Sequence, residues 1–323
     1  MNIGITTTVP IEPLFASGNV PYDLNNVFIT SKNPAKYIDF AEESGYPATV
    51  CSWIKGLYSV AIENKMDLVI GVVRGDCSNT DSLLETLENK KIRTYPFSYP
   101  YPKNEKALKI EIERLMNFLN VSYSDIDAVL PKIEAARKLA WKIDELTYHE
   151  NKIHSDENHS YLISTSDFNS NLDLYIKNAE TLIEKSKERD SIKHSIRLGY
   201  VGVPPIFLDI YTFLEKNSAY VVFNEVQRQF SMPYPNLNWM DRYLSYTYPY
   251  SIFDRIRDIK KEIKIRKIDG LIHYVQSFCH RQITDMVLKE NIDVPILTVE
   301  GNQPINVDER TKIRLESFID MLL

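Results

Sequence analysis

Cys51, Cys77 and Cys279 are the only three cysteines of this 323-residue chain and its most suitable ligands for a soft metal. No Cys-x-x-Cys pair occurs, so local spacing alone identifies neither a zinc site nor a cluster. Their placement is more informative. Cys77 comes just after an apolar run, in Arg74-Gly75-Asp76-Cys77, and Cys279 comes just after another and opens a predicted helix. Cys51 follows Ala48-Thr49-Val50 and also opens a predicted helix. Ligands bind at the carboxyl ends of strands in open α/β sheets. Helix amino ends favour thiolate over thiol, and thiolate is the form an iron–sulfur cluster takes. Any one of these cysteines alone reads more readily as an inert buried thiol.

The elements that must position them follow from hydrophobic periodicity. The first third alternates strands over 2–7, 25–29, 67–73 and 92–95 with helices over 34–44, 52–64 and 81–89. A proline-rich loop over 96–102 marks a boundary. Residues 103 to about 190 contain no glycine. There Leu108, Ile112, Leu115 and Leu119 recur at helical spacing, as do Ile133, Ala136, Ala140 and Ile143. A helix start near Pro131 and a polar break over 154–159 are expected. Strands over 196–203, 219–226, 270–276 and 295–299 then alternate with helices over 207–216, 251–267, 280–290 and 308–321. The pattern predicts an α/β protein: two flavodoxin- or Rossmann-like parallel-sheet domains, 1–102 and 195–323, joined by a helical connector, 103–194.

Bulk properties narrow the functional classes. A composition 44% hydrophobic and 25% charged is that of an ordered globular chain. A net charge of −6 disfavours nucleic acid as the main partner. No apolar run approaches the ~20 residues that span a bilayer, and the first ten residues lack a signal-peptide pattern. Three cysteines are too few for a secreted disulfide framework, so a cytoplasmic location with reduced thiols is expected. No P-loop or dinucleotide-binding glycine signature occurs, and bound ATP or NAD is not expected.

The residues around the cysteines carry a resemblance. Val9-Pro10-Ile11-Glu12 is followed by Ala16-Ser17-Gly18-Asn19-Val20-Pro21, then by Cys51 with Gly56, and by Asp76-Cys77. In the last third come 202–215, 219–224, Asp269-Gly270-Leu271-Ile272, Phe278-Cys279-His280, Val294-Pro295-Ile296-Leu297 through Glu300, and Arg314-Leu315-Glu316-Ser317-Phe318. In order and spacing these segments resemble the 2-hydroxyacyl-CoA dehydratase family, which includes the benzoyl-CoA reductase subunits and double-cubane cluster proteins; the D-component type fits best. Asn302 stands where many members carry aspartate, and the extra cysteines of the double-cubane members are missing.

The resemblance implies a single oxygen-sensitive 4Fe–4S cluster on Cys51, Cys77 and Cys279, shared by the two halves of the chain. One iron would then lack a protein ligand and could take water, a hydroxyl or a thioester oxygen. The implied reaction is radical dehydration of a 2-hydroxyacyl-CoA by a lyase of anaerobes. One electron from a separate ATP-hydrolysing iron–sulfur activator reduces the thioester carbonyl to a ketyl. The ketyl expels the hydroxyl and makes the β-proton removable, and the electron then returns to the cluster. The resemblance further implies a dimer with a similar subunit or with itself. Glu12 is a candidate for orienting substrate or water, Gly18 for close backbone approach, and His280 and Arg281 for hydrogen bonds to sulfide or a thioester oxygen. The basic stretch 255–267 would meet CoA phosphates or the activator, or form a solvated helix face. Two alternatives stand beside this reading. One is an activator-dependent, homodimeric low-potential reductase of a small molecule without CoA. The other is a non-catalytic scaffold whose cysteines hold zinc, with His280 as fourth ligand.

Overall fold

The computed structural model describes residues 1–323. In chain order, β1 (Asn2–Ile5), α1 (Glu12–Ala16), β2 (Val20–Asp23), α2 (Leu24–Ile29), α3 (Ala35–Glu43), α4 (Ser52–Glu63), β3 (Leu68–Arg74), α5 (Thr80–Asn89) and β4 (Arg93–Ser98) form the first α/β stretch. The helices α6 (Glu105–Phe118), α7 (Tyr123–Glu145), α8 (Ser155–Ile163) and α9 (Leu172–Lys187) follow. The last stretch is β5 (Ile196–Gly202), α10 (Ile210–Lys216), β6 (Ala219–Asn224), α11 (Glu225–Phe230), α12 (Trp239–Ser245), α13 (Ile252–Arg266), β7 (Gly270–Gln276), α14 (Asp285–Asn291), β8 (Ile296–Gly301) and α15 (Glu309–Leu322).

These elements form two compact units. The first comprises Met1–Lys138, Ser164–Lys177 and Met232–Tyr250; the second comprises Leu139–Ile163, Asn178–Ser231 and Ser251–Leu323. Each is built on a four-stranded, all-parallel sheet, ordered β2-β1-β3-β4 in the first and β6-β5-β7-β8 in the second. The α/β class with two parallel sheets is therefore as expected. Parallel strands covered on both faces read as continuous apolar runs, and all seven residues of β7 are buried. No helix is long and apolar enough to cross a membrane.

Local chemistry explains how the helices seat on the sheets. Ser251 caps α13 by accepting the Phe253 N–H, while Lys267, at φ +52°, ends it. Ile256 and Ile259 on its inner face join Val201, Val222, Phe223 and Leu271 in the core of the second unit. Burying each contributes about 1.5–3 kcal/mol, and an aspartate at position 259 would destroy this seat. In the first unit, α4 packs on α2 through Gly56, where an added Cβ would lie 2.5 Å from the Phe28 ring.

Four local expectations are corrected. Residues 24–29 are helical, and the strand lies just before them at Val20–Asp23. The Asp23 carboxylate accepts the Asn25 N–H and starts α2, and the strand tolerates Pro21 because β2 is an edge strand. For the same reason β4, the opposite edge, runs through Pro96 to Ser98 rather than giving way to a loop. Pro131 lies inside α7, its ring on the exposed side, and does not start the helix. The polar stretch at 155–159 belongs to α8; the break precedes it, in a π-helical turn at Leu146–Glu150 and Asn151 at φ +54°. Polarity there faces inward: Asn158 donates to Asp144 and Thr147 and accepts from Asn224.

Candidate functional site

Cys51 and Cys77 lie in the first unit. Cys51 is buried and occupies the cap position of α4, where the Lys55 N–H bonds its carbonyl at 3.2 Å. The Lys55 side chain, 1% exposed, turns back to donate to Ala48 O at 3.0 Å and Glu42 Oε1 at 2.6 Å, which pins the segment leading to Cys51. Ala48–Val50 forms a turn. Half-buried Cys77 lies between the end of β3 and the start of α5, and its Sγ accepts the Asn79 N–H at 3.4 Å. Such a backbone donor stabilises negative charge on sulfur. Near the same sheet edge, the buried hydroxyls Thr8 Oγ1 and Thr80 Oγ1 have no hydrogen-bond partner. Buried hydroxyls left in this way suit a bound group rich in acceptors.

Cys279 is half-buried in the second unit, immediately beyond β7. Its N–H bonds Gln276 O at 3.0 Å, and it caps a 3-10 turn, His280–Thr284, that precedes α14. The expected helix over 280–290 is thus a tighter turn first, and an α-helix only from Asp285. His280 is exposed and Arg281 half-buried. Partial burial and the adjacent Arg281 charge hold His280 below the ordinary imidazole pKa. Neither unit assembles three His, Cys, Asp or Glu side chains into a metal-binding group by itself. The soft, thiolate-forming donors are divided two and one between the units.

Glu12 opens α1 and is 0% exposed. Arg137 Nη1 donates to its Oε1 at 2.7 Å and Tyr243 OH to its Oε2 at 2.8 Å. The Tyr243 oxygen in turn accepts from Ile11 N at 3.0 Å and Arg137 Nη2 at 3.1 Å. Glu134 ties Arg137 to Arg242. Burial opposes the Arg137 charge, but Glu12, Tyr243 and Glu134 outweigh it and raise its pKa. Gly18 has φ +68° just past α1, and an added Cβ would meet nothing within 4 Å. Its requirement is the left-handed backbone that follows the helix end.

Arg137 and Tyr243 were not anticipated from the sequence. Arg137 stands on the Ile133–Ala136–Ala140 stripe, and a charge on an apolar helix face was the available signal. The second unit has a parallel arrangement. Glu225 opens α11, 1% exposed, and accepts from Arg255 Nε at 2.6 Å, Arg255 Nη2 at 2.8 Å and Gly202 N at 2.9 Å. The basic stretch is correspondingly split. Arg255 and Arg266 are buried in ion pairs, whereas Arg257, Lys260, Lys261 and Lys264 are exposed.

Two further titrating groups are covered. Asp167 Oδ2 accepts the Asp23 N–H at 2.7 Å; burial, then the Asp23 charge, push the Asp167 pKa up to about 7. His159 lies against Tyr211 and Gln227, and burial brings its pKa down to about 4.

Two parallel sheets, with thiols close after β3 and β7 and at the start of α4, define a doubled α/β scaffold. The profile of the 2-hydroxyglutaryl-CoA dehydratase, D-component family matches residues 6–322, and the chain belongs to that family. It is thus a dehydratase-like component. No curated protein matches. Among solved structures, the Zn(II)-bound AdcAII mutant variant of Streptococcus pneumoniae is 12% identical, with 100% of this chain and 97% of that one covered. Its TM-score is 0.19, too low to carry an argument.

Proposed function

We propose that the chain is the cluster-holding component of a 2-hydroxyacyl-CoA dehydratase-like lyase, with Cys51, Cys77 and Cys279 as the three protein ligands of one 4Fe–4S cluster. The observation that carries this reading is that all three cysteines of a chain matched by the family over residues 6–322 stand at a strand's carboxyl end or a helix start. When bound, such a cluster supplies a low-potential electron and one iron open to a substrate oxygen. The protein's own part is presentation. Lys55 pins the approach to Cys51, Asn79 N–H stabilises the Cys77 thiolate, and the Arg137–Glu12–Tyr243 network holds the start of α1 beside Gly18. His280 and Arg281 place imidazole and guanidinium nitrogens directly after Cys279, where they could meet a thioester substrate. A similar subunit or second copy, and a separate ATP-hydrolysing iron–sulfur activator, complete the reading in a cytoplasmic, anaerobic setting.

Oxygen-free purification followed by iron and acid-labile sulfide analysis tests it. About four irons and four sulfides per chain, with dehydration of a 2-hydroxyacyl-CoA once activator and any second subunit are added, are expected. About one zinc in a colourless protein would replace it with the scaffold reading. Cluster content together with activator-dependent reduction of a small molecule, and no turnover of CoA thioesters, would replace it with the reductase reading.

A further inference from the structure

The segment Tyr246-Thr247-Tyr248-Pro249-Tyr250 is far along the chain from Cys77, yet it belongs to the same unit and closes on the turn that carries this cysteine. Tyr248 OH donates to Asp76 Oδ1 at 3.0 Å, on the residue immediately before Cys77. Pro249 crowds Gly75, where a Cβ would come within 2.7 Å of Pro249 Cβ and 3.0 Å of Tyr99 Cβ. Gly75 is also at φ +104°, in the region that favours glycine. Tyr99 N–H bonds Arg74 O at 3.0 Å, and the Tyr99 ring meets Tyr246 and Tyr250 edge-on at 5.8 and 5.9 Å. The strap is buried throughout. Packing alone needs only the rings, which phenylalanine would supply; the Tyr248 hydroxyl adds a directed bond to a carboxylate.

We propose that Tyr248 is a positioning residue for Cys77. Acting through Asp76, it restrains the 75–79 turn so that Cys77 Sγ keeps the Asn79 N–H and a constant presentation at the end of β3. This deepens the cluster reading given above, on which only the second arm of the test rests.

The first arm uses the whole 323-residue chain in metal-free form. The rates at which iodoacetamide alkylates Cys51 and Cys77 are followed separately by peptide mass spectrometry, with circular dichroism confirming the fold. Tyr248→Phe keeps the ring and removes the bond. It is expected to lower the Cys77 rate about fivefold to tenfold, the worth of one hydrogen bond, as the thiolate loses its backbone donor, and to leave Cys51 within about twofold. Asp76→Asn retains an oxygen acceptor and gives a smaller fall. In the second arm, Tyr248→Phe is reconstituted with iron and sulfide and shifts the electron paramagnetic resonance g-values at unchanged iron content. Equal or faster Cys77 alkylation in Tyr248→Phe than in the parent, or equal slowing at both cysteines, overturns the proposal. If the Cys77 rates separate but no cluster assembles, the positioning role stands and the cluster reading fails. If a cluster assembles and the Cys77 rates coincide, the reverse holds.

Discussion

Replacing Arg137 by methionine removes the only cation that the structure places against the fully buried Glu12 carboxylate. Arg137 is 1% exposed and bonds Glu12, Glu134 and Tyr243. After the change Glu134 keeps Arg242, at 2.6 Å, so the cost falls on Glu12, left with Tyr243 OH. Breaking a buried pair from one side costs about 3–5 kcal/mol, because the remaining charge has lost its partner. With a urea slope of about 3 kcal/mol per M, the unfolding midpoint drops by about 1–2 M at pH 7. Glu12→Gln costs less, about 1–3 kcal/mol, since Arg137 retains Glu134 and Tyr243. The double variant is expected to be more stable than Arg137→Met alone, since the stranded charge is gone. Urea titrations of the four proteins, followed by circular dichroism, form the cycle. A cost below about 1 kcal/mol for Arg137→Met, or simple addition of the two single costs, would refute the reasoning.

His159, with a folded pKa of about 4 against an ordinary 6.5, is neutral in the native state; stability falls as pH drops below 6.5, by about 2–3 kcal/mol at pH 4. Urea midpoints from pH 7 to pH 4 will show this slope, and His159→Gln should flatten it. Asp167 has the opposite sign, since its raised pKa means stability is lost as pH climbs from about 4 to about 7. Asp167→Asn should therefore gain about 2–4 kcal/mol relative to the parent between pH 5 and pH 8, read from paired titrations. Gly56→Ala drives a methyl into the Phe28 ring and should cost about 1–3 kcal/mol in thermal or urea unfolding, with part restored by adding Phe28→Leu. Serine at Cys51, Cys77 or Cys279 should each reduce bound iron after anaerobic reconstitution to less than half the parent value, and an unchanged content at any position removes that ligand from the set.

The strands that carry Cys77 and Cys279 were legible because both are long apolar runs covered on two faces, as 67–73 and 270–276 read in the sequence. β2 was not, since four residues interrupted by Pro21 resemble a loop until the edge position is known. Placement of the cysteines at strand ends and helix starts followed from periodicity alone. What surrounds them did not. Glu12 finds Tyr243 across 231 positions and Arg137 across 125, and Asp76 finds Tyr248 across 172, pairings that only tertiary packing creates. The polar cluster around Asn158 read as a break because its partners, Asp144 and Asn224, come from separate elements.

The two outer strands of the first sheet each contain a proline, Pro21 on one flank and Pro96 on the other. Proline has no amide hydrogen, so each outer strand is one donor short of an unbroken ladder. A fifth strand, from a misfolded neighbour or a peptide seeking a template, would meet a defect on either side. Pairing onto either flank of the sheet is thereby disfavoured, and the sheet is guarded against runaway stacking during synthesis.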